Sequence, residues 1–437
     1  MPIIGEYLDV HLLLPIIHFM QGRNVYDTKE LEQAKISLLS EKTSMVDYAI
    51  ELYNALHGKK SPELEKKKQQ LLTDFKNVEE KSNKFLSIPK ATIQELVANN
   101  QFNATHLQEN FDITTEDIDA IYTFAKFEYE CGKYEVAIDC LNAFRSLNTD
   151  PVKDLSALWG KLASEILMSN WDEAENTIGM LRDLIDEPKV PTSPLKQLQG
   201  RLWLIHWSLF VYFKKPKGPA SMLDFFLEKE KYLRAIEIKA PWILRYLAIA
   251  TILSRHRVPD LVRLIKQEYT TGNSGQSTGS LDPVVHFLYT LYVKFDFEGA
   301  EKELQKCKEI LQNDYLIQEG IAQEFVKSGR YALCEAYCKI HSTIDIGMMS
   351  KKLGLSLPEA EAWIVNLIRA SKLDAKIDSE RNIVIVSPQE QSVYKQLLDK
   401  TKNLATKAET LSAALERSKQ QAQREEKEKE KAKEDKE

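Results

Sequence analysis

Four times along this chain an aromatic residue is followed by a small or apolar residue three positions on, a second after four more and a third after three more. The instances are Tyr134, Ala137, Leu141, Phe144; Trp171, Ala174, Ile178, Leu181; Phe297, Ala300, Leu304, Cys307; and Tyr331, Cys334, Cys338, His341. Steps of three and four place the members of a set on one helical face. The first two sets start 37 residues apart and the last two 34 apart, near the period of tetratricopeptide-like hairpins, with several unmatched units between them. Each set follows a helical stretch and a tight break such as Cys131-Gly132-Lys133 or Ser328-Gly329-Arg330. A helix pair of this kind cannot bury its apolar face alone, so the units are expected to stack into a right-handed solenoid. Such a solenoid offers surface to partners, not a cleft for chemistry.

Composition points the same way. Of 437 residues 43% are hydrophobic, enough for a large core and several domains, and Gly 16 with Pro 15 is too little punctuation for a β-rich chain. Lys+Arg 59 against Asp+Glu 65 gives a net charge of -6, which excludes a bulk positive field for nucleic acid or anionic membranes. The most apolar run, Pro241 to Ser254, is interrupted by Arg245 and is too short to span a bilayer, so a soluble protein is expected. No secretory signal is read in MPIIGEYLDVHLLLP, where Glu6 and Asp9 stand in place of positive charge. Cys131, Cys140, Cys307, Cys334 and Cys338 lie in helical patterns and are expected to be free thiols.

Upstream of the repeats, Glu30 to Leu39 and a segment starting at Ser44 read as short amphipathic helices, the second with Asp47 completing an imperfect capping box. Leu64 to Phe85 reads as a longer helix whose Lys66, Lys67 and Lys68 are flanked by glutamates and form a solvated face. Leu202 to Phe213 is apolar nearly all round and should be buried. Thr270 to Ser280, rich in Gly, Ser and Thr, is expected to be a loop before a helix capped by Asp282 and opened by Pro283.

Beyond the last set the period changes. A helix over Ile346 to Leu353, a second over Glu359 to Ala370, and strands Ala375 to Asp378 and Ile383 to Ser387 follow in the order of a winged helix. Ser392 to Leu415 carries a heptad seam of Tyr394, Leu397, Thr401, Leu404, Ala408, Leu411 and Leu415, suited to partner helices, and Glu416 to Glu437 reads as a solvated charged end. The fold class is therefore mainly α: a helical-hairpin solenoid running into a winged helix, then a long C-terminal helix. Boundaries are expected to separate N-terminal helices and hairpins (1–219), a module of last hairpins and winged helix (220–388, the winged helix at 342–388), and the C-terminal helix and tail (389–437).

Motifs that could carry chemistry fail in context. GQSTG at Gly275 to Gly279 matches a serine-hydrolase elbow but has no preceding strand. Cys334, Cys338 and His341 share a face and would suit zinc, yet they occupy packing positions filled elsewhere by Ala137, Leu141 and Phe144. No phosphate loop and no His-Glu-x-x-His is present. No catalytic residue, cofactor, metal or small-molecule substrate is expected. A winged helix raises nucleic-acid reading, in which Arg369, Lys372 and Arg381 could touch a phosphate backbone. Six basic against five acidic residues over Ile346 to Val386 favour a protein-binding wing, with RNA contact weak or indirect.

A hairpin array leading into a winged helix and a long helix resembles the PCI subunits of the proteasome lid, the signalosome and a translation initiation factor. LWGKLASEILMSNWDEA (Leu158 to Ala174), LWLIHWSLFVYFKKPKG (Leu202 to Gly218) and EAEAWIVNLIRASKLDAKIDS (Glu359 to Ser379) resemble the e-subunit family of eukaryotic translation initiation factor 3. So do TSMVDYAIELY (Thr43 to Tyr53), Tyr122 to Tyr134, and YVKFDFEGA (Tyr292 to Ala300). The resemblance spans about residues 5 to 410 and departs at the Thr270 to Ser280 loop and after Leu415.

The resemblance implies a non-catalytic, cytoplasmic scaffold, with a nuclear pool left open, in a complex that binds the small ribosomal subunit and promotes initiator tRNA and mRNA recruitment. Its partners would be other PCI and MPN subunits and the small ribosomal subunit, with no membrane. Winged helices of such subunits are expected to line up edge strand to edge strand, here through Ile383, Val384, Ile385 and Val386. The C-terminal helices would gather into a bundle, here through Tyr394, Leu397, Leu404, Leu411 and Leu415. A scaffold of the lid or signalosome is the alternative within this class, and a winged-helix nucleic-acid binder the alternative outside it.

Overall fold

The computed structural model describes residues 5–419 other than 24–25, 59–60, 89–95, 97–102, 112, 188–192, 272–281, 318, 342, 348–356, 372–374, 379–380, 387–393, 395–396, 399, 403, 413–414 and 416–418. Helices α1 to α7 are Val10–Arg23, Thr28–Lys42, Val46–His57, Pro62–Leu86, Ala104–Phe111, Thr115–Glu130 and Tyr134–Leu147. Helices α8 to α14 are Pro151–Leu167, Trp171–Asp186, Pro194–Tyr212, Gly218–Glu228, Glu230–Lys239, Ile243–Ser254 and Val258–Thr271. Then come α15 (Pro283–Tyr289), a π-helical turn (Thr290–Lys294), α16 (Phe297–Gln312), α17 (Glu319–Ile340), β1 (Thr343–Asp345), α18 (Leu357–Ser371), β2 (Ala375–Asp378) and β3 (Ile383–Val386). Two compact units result, Met1–Leu333 and Cys334–Glu437.

Several helices start where a side chain can take an unpaired N–H group, whereas others, α7 and α9 among them, start without a side-chain cap. Thr114 and Asp117 form a capping box before α6, and Asp150, Ser193, Asp282 and Asp296 accept first-turn N–H groups of α8, α10, α15 and α16. Successive helices pack in series, α6 on α7, α7 on α8, α8 on α9 and α9 on α10, as a solenoid requires.

The aromatic of each of the first three repeat sets is the first residue of a helix: Tyr134 of α7, Trp171 of α9 and Phe297 of α16. Two residues before it stands a residue with positive φ, Gly132 (86°), Ser169 (61°) and Phe295 (56°). This left-handed residue ends the preceding helix: Lys133 N–H reaches back to Glu128 C=O (2.9 Å), and Asn170 N–H to Glu165 C=O (2.9 Å). At Gly132 it is φ that favours glycine, since a Cβ would meet only the flexible end of the Met45 side chain (Cε at 2.9 Å). The small residues Ala137, Ala174 and Ala300 and the positions after them are buried, as their spacing predicts.

The fourth set behaves differently. No break occurs at Ser328-Gly329-Arg330; α17 runs through it from Glu319 to Ile340. Gly329 is helical and buried, and a Cβ there would stand 2.7 Å from Leu304 Cδ1, so this glycine permits close helix approach, not a turn. His341 is correspondingly exposed, outside the packing face. The expected capping box at Ser44 is also absent. Met45 precedes α3 without a side-chain cap, while Ser44 donates its N–H to Glu130 C=O (3.2 Å) and its hydroxyl to the Glu130 carboxylate (3.4 Å).

Leu202 to Phe213 is buried except for the half-buried Trp203. Its His206 keeps both ring nitrogens occupied, Nδ1 at 2.7 Å from Leu202 C=O and Nε2 accepting from Trp242 Nε1 (3.0 Å). Burial holds this imidazole below its ordinary pKa, so it is neutral at physiological pH.

A feature that periodicity could not reveal is the course of residues 5–23 across the solenoid. Tyr7 stacks on His206 (4.5 Å between rings, 5° apart) and its C=O accepts from Trp207 Nε1 (2.9 Å). Asp9 accepts from Tyr129 OH (2.7 Å), His11 Nδ1 lies 3.0 Å from Tyr134 OH, and Phe19 meets the edge of Tyr315. The segment thus joins α6, α7 and α10, which lie 120 to 200 residues away in sequence.

The Asp186 carboxylate links three further elements, accepting from Arg201 Nε of α10 (3.1 Å) and from Lys229 Nζ (3.0 Å), the residue preceding α12. Burial alone would raise this carboxyl, but the Lys229 and Arg201 hydrogen bonds outweigh it and hold the pKa below the ordinary value. Asp186→Ala strands the mostly buried Arg201 guanidinium and is expected to cost about 3 kcal/mol or more at neutral pH. Because the folded pKa is depressed, that contribution is present above the ordinary carboxylate value of about 4 and is lost as the pH falls through the folded value. Urea unfolding of native and variant chains should therefore differ strongly at pH 7 and converge in acid; an equal difference at both pH values would contradict the role given to this carboxylate.

Candidate assembly surfaces

The second unit contains a three-stranded antiparallel sheet of order β1-β3-β2. Ile344 and Ile377 both pair with Val384, giving one apolar row across the sheet in which Val384 is 0% exposed. On the opposite face Thr343, Ile385 and Lys376 form an exposed row. Period-two alternation puts Ile383 and Ile385 on one side of the strand and Val384 on the other, as the sequence indicates.

The expectation that Ile383–Val386 is an edge strand is overturned. Both sides of β3 are taken, Val386 pairing with Ala375 of β2 and Ile385 with Thr343 of β1. The missing element is β1, whose three residues Thr-Ile-Asp are too few to announce a period of two. Among the described residues the ladder edges left open are those of β1 and β2. The expected first helix of the winged helix, Ile346 to Leu353, lies mostly outside the described residues. The second is present as α18 with Ile364 buried.

Every described residue from Tyr394 to Leu415 is helical and exposed. Leu397, Leu404 and Leu411 are 56%, 66% and 63% exposed, and Tyr394, Leu398 and Leu415 are exposed with them. In the first unit, α7, α9 and α16 each hide an apolar stripe of the same spacing, whereas here the stripe stands open. Full burial of a leucine stabilises by about 1.5–3 kcal/mol, so covering the exposed part of Leu397, Leu404, Leu411 and Leu415 would supply on the order of 4–7 kcal/mol. That is comparable with the entropic cost of association, about 4–15 kcal/mol.

The remaining candidates fall as follows. Arg369 and Arg381 are exposed, while Lys372, GQSTG and the charged end after residue 419 lie outside the described residues. Cys334 and Cys338 are buried and His341 is exposed with its ring 4.1 Å from that of Tyr337. Burial, reinforced by the Glu335 carboxylate, pushes the Cys338 thiol up to about 11, and burial pushes Cys307 to about 12. Such thiols stay protonated at neutral pH and are poor nucleophiles and ligands. No group of three metal-ligating side chains occurs among the described residues. In the lysine run of α4, Lys68 pairs with Asp47 (2.6 Å) and Lys67 donates to the Ser40 and Thr43 carbonyls at the end of α2, so two of its three charges are already engaged.

Val384→Pro would remove an N–H from the central strand and place a ring in the fully buried row, so it is expected to unfold the sheet in the isolated chain. Limited proteolysis should then cut within residues 343–386, whereas Ile385→Asp, on the exposed row, should leave the segment resistant. Equal resistance of the two variants would contradict the strand order.

Comparison with known proteins places these surfaces in context. Residues 1–128 match the model of the eIF3 subunit 6 N terminal domain, and residues 304–388 match the PCI domain. The chain is 41% identical over 422 residues to the E subunit of eukaryotic translation initiation factor 3 from Arabidopsis thaliana, covering 92% of this chain and 93% of that protein. It is 37% identical over 433 residues to the Caenorhabditis elegans protein of the same name, covering 95% and 96%. The Aspergillus fumigatus protein of that name is 37% identical over 430 residues, covering 95% and 92%.

Proposed function

Because the chain belongs to the E-subunit family of eukaryotic translation initiation factor 3, we propose that it acts as a scaffold of that multi-subunit factor, through two surfaces of its C-terminal unit. The observation that carries this reading is the open leucine seam. A helix with Leu397, Leu404, Leu411 and Leu415 in water is an unfinished interface, and a bundle of sister helices with the same heptad spacing is its natural completion. The second surface is the sheet edge. With β3 central, side-by-side pairing with neighbouring PCI subunits falls to β1 and β2, and a sheet open at both edges can take a neighbour on each side.

In this reading the chain performs no chemistry. It holds other PCI and MPN subunits of the factor in place as the factor engages the small ribosomal subunit and promotes recruitment of initiator tRNA and mRNA in the cytoplasm. Arg369 and Arg381, both exposed, would supply a secondary contact to an RNA backbone beside the protein surfaces. Among the described residues no helix is long and apolar enough to cross a membrane.

Charging the seam separates assembly from folding. Leu397→Asp combined with Leu404→Asp should leave the melting temperature of the isolated chain unchanged and release it from the other subunits on affinity purification from cells. Undiminished co-purification of the double variant would refute the bundle role.

A further inference from the structure

Beside the docked N-terminal segment, a cleft of about 380 Å3 opens between α6, α8 and α10 of the first unit. Its walls are indoles: Trp159 of α8 meets Trp203 of α10 at 5.9 Å and 85°, and Trp207 at 4.9 Å and 78°, so the ring faces stand nearly perpendicular. Trp207 is committed to the fold, buried and donating to Tyr7 C=O (2.9 Å). Trp159 and Trp203 are half-buried, and no hydrogen bond engages either indole N–H among the described residues. Tyr122 steadies the rim through Ser156 (2.8 Å). Glu6 and Asp9 of the N-terminal segment complete the lining, with Lys126 as the single opposing cation. Asp9 holds Tyr129, but Glu6 is exposed and makes no ion pair or hydrogen bond among the described residues.

The edge-to-face contacts hold the indoles in place, while the half-buried Trp159 and Trp203 keep part of their apolar surface in water. Their faces attract cations, tryptophan most strongly of the aromatics, and a carboxylate at the mouth supplies the second half of a guanidinium site. We propose that this cleft receives an arginine side chain presented by a partner protein, its guanidinium stacked on the Trp203 ring, flanked by Trp159 and forked to Glu6. Arginine fits better than lysine because its plane can stack and its fork can bond a carboxylate at the same time. A proline-rich segment would use the indoles and leave the carboxylates idle. The site is composite: α8 and α10 provide the rings and residues 6–9 the charge, so it exists only while the N-terminal segment is docked. None of its residues belongs to the C-terminal surfaces, and binding here is separable from assembly there.

The test is calorimetric titration of the full-length chain with a blocked Ser-Gly-Arg-Gly-Ser peptide, its citrulline isostere and a penta-proline peptide. Saturable binding of the arginine peptide, about tenfold weaker binding of the citrulline peptide and no preference for penta-proline are expected. Glu6→Gln, at an exposed position, should weaken the arginine peptide by about threefold or more at unchanged melting temperature. Trp203→Phe should retain binding and Trp203→Ala should lose it; should the alanine variant not fold, Glu6→Gln and Trp203→Phe still decide the matter. Equal affinity for arginine and citrulline peptides, tighter binding of penta-proline, no effect of Glu6→Gln, or no saturable binding at millimolar peptide would overturn the proposal.

Discussion

Close approach of one helix to the next at a small side chain is the contact on which the first unit rests. Ala137, Ala174 and Ala300 are fully buried, and each is set by a left-handed residue five positions earlier that turns the chain back on itself. A larger residue at the alanine would push the helices apart, and the apolar residues after it, such as Leu141 with Phe144 and Ile178 with Leu181, would lose their partners. The same logic recurs at Gly329, where the absent Cβ admits Leu304. A stack built this way always has ends, and an end exposes what an interior hairpin hides. Residues 5–23 lie against α6, α7 and α10 of that stack, with Tyr7, Asp9 and His11 as anchors, so apolar residues of the N-terminus are spent on the chain's own hairpins.

The C-terminal helix carries its leucines at comparable spacing but covers none of those described, and this contrast is the basis for assigning it to partners. Charge supports the division of labour. Buried ionisable groups of the first unit are engaged in structure: Asp186 with Arg201 and Lys229, and Arg245 with Asp282 and Asp314, which also accepts from Tyr246. The cysteines follow the same pattern: four are buried and Cys131 is half-buried, and burial raises the Cys131, Cys307 and Cys338 thiols above their ordinary pKa.

Much of this was legible in the sequence, because helix starts and core faces are local. Tyr134, Trp171 and Phe297 open helices, and the apolar run of α10 is buried, since an aromatic after a turn or an all-round apolar helix has one reasonable environment. What stayed hidden is non-local or short. The course of residues 5–23 depends on partners up to 200 positions away. β1 is three residues long, and missing it turned the central strand Ile383–Val386 into an apparent edge. Gly329 was misleading for another reason: glycine serves both for a left-handed turn and for close approach, and composition cannot distinguish them. At the candidate surfaces the leucine spacing was readable, while the open sheet edges were not.

The scaffold role requires that the seam of the C-terminal helix be open in the free chain and closed in the assembled factor. Hydrogen exchange over residues 394–415, followed by mass spectrometry in the isolated chain and in the purified multi-subunit complex, addresses this directly. Rapid exchange in the free chain and protection by several orders of magnitude on assembly is the predicted result. Equal exchange in the two states, or full protection already in the isolated chain, would contradict it.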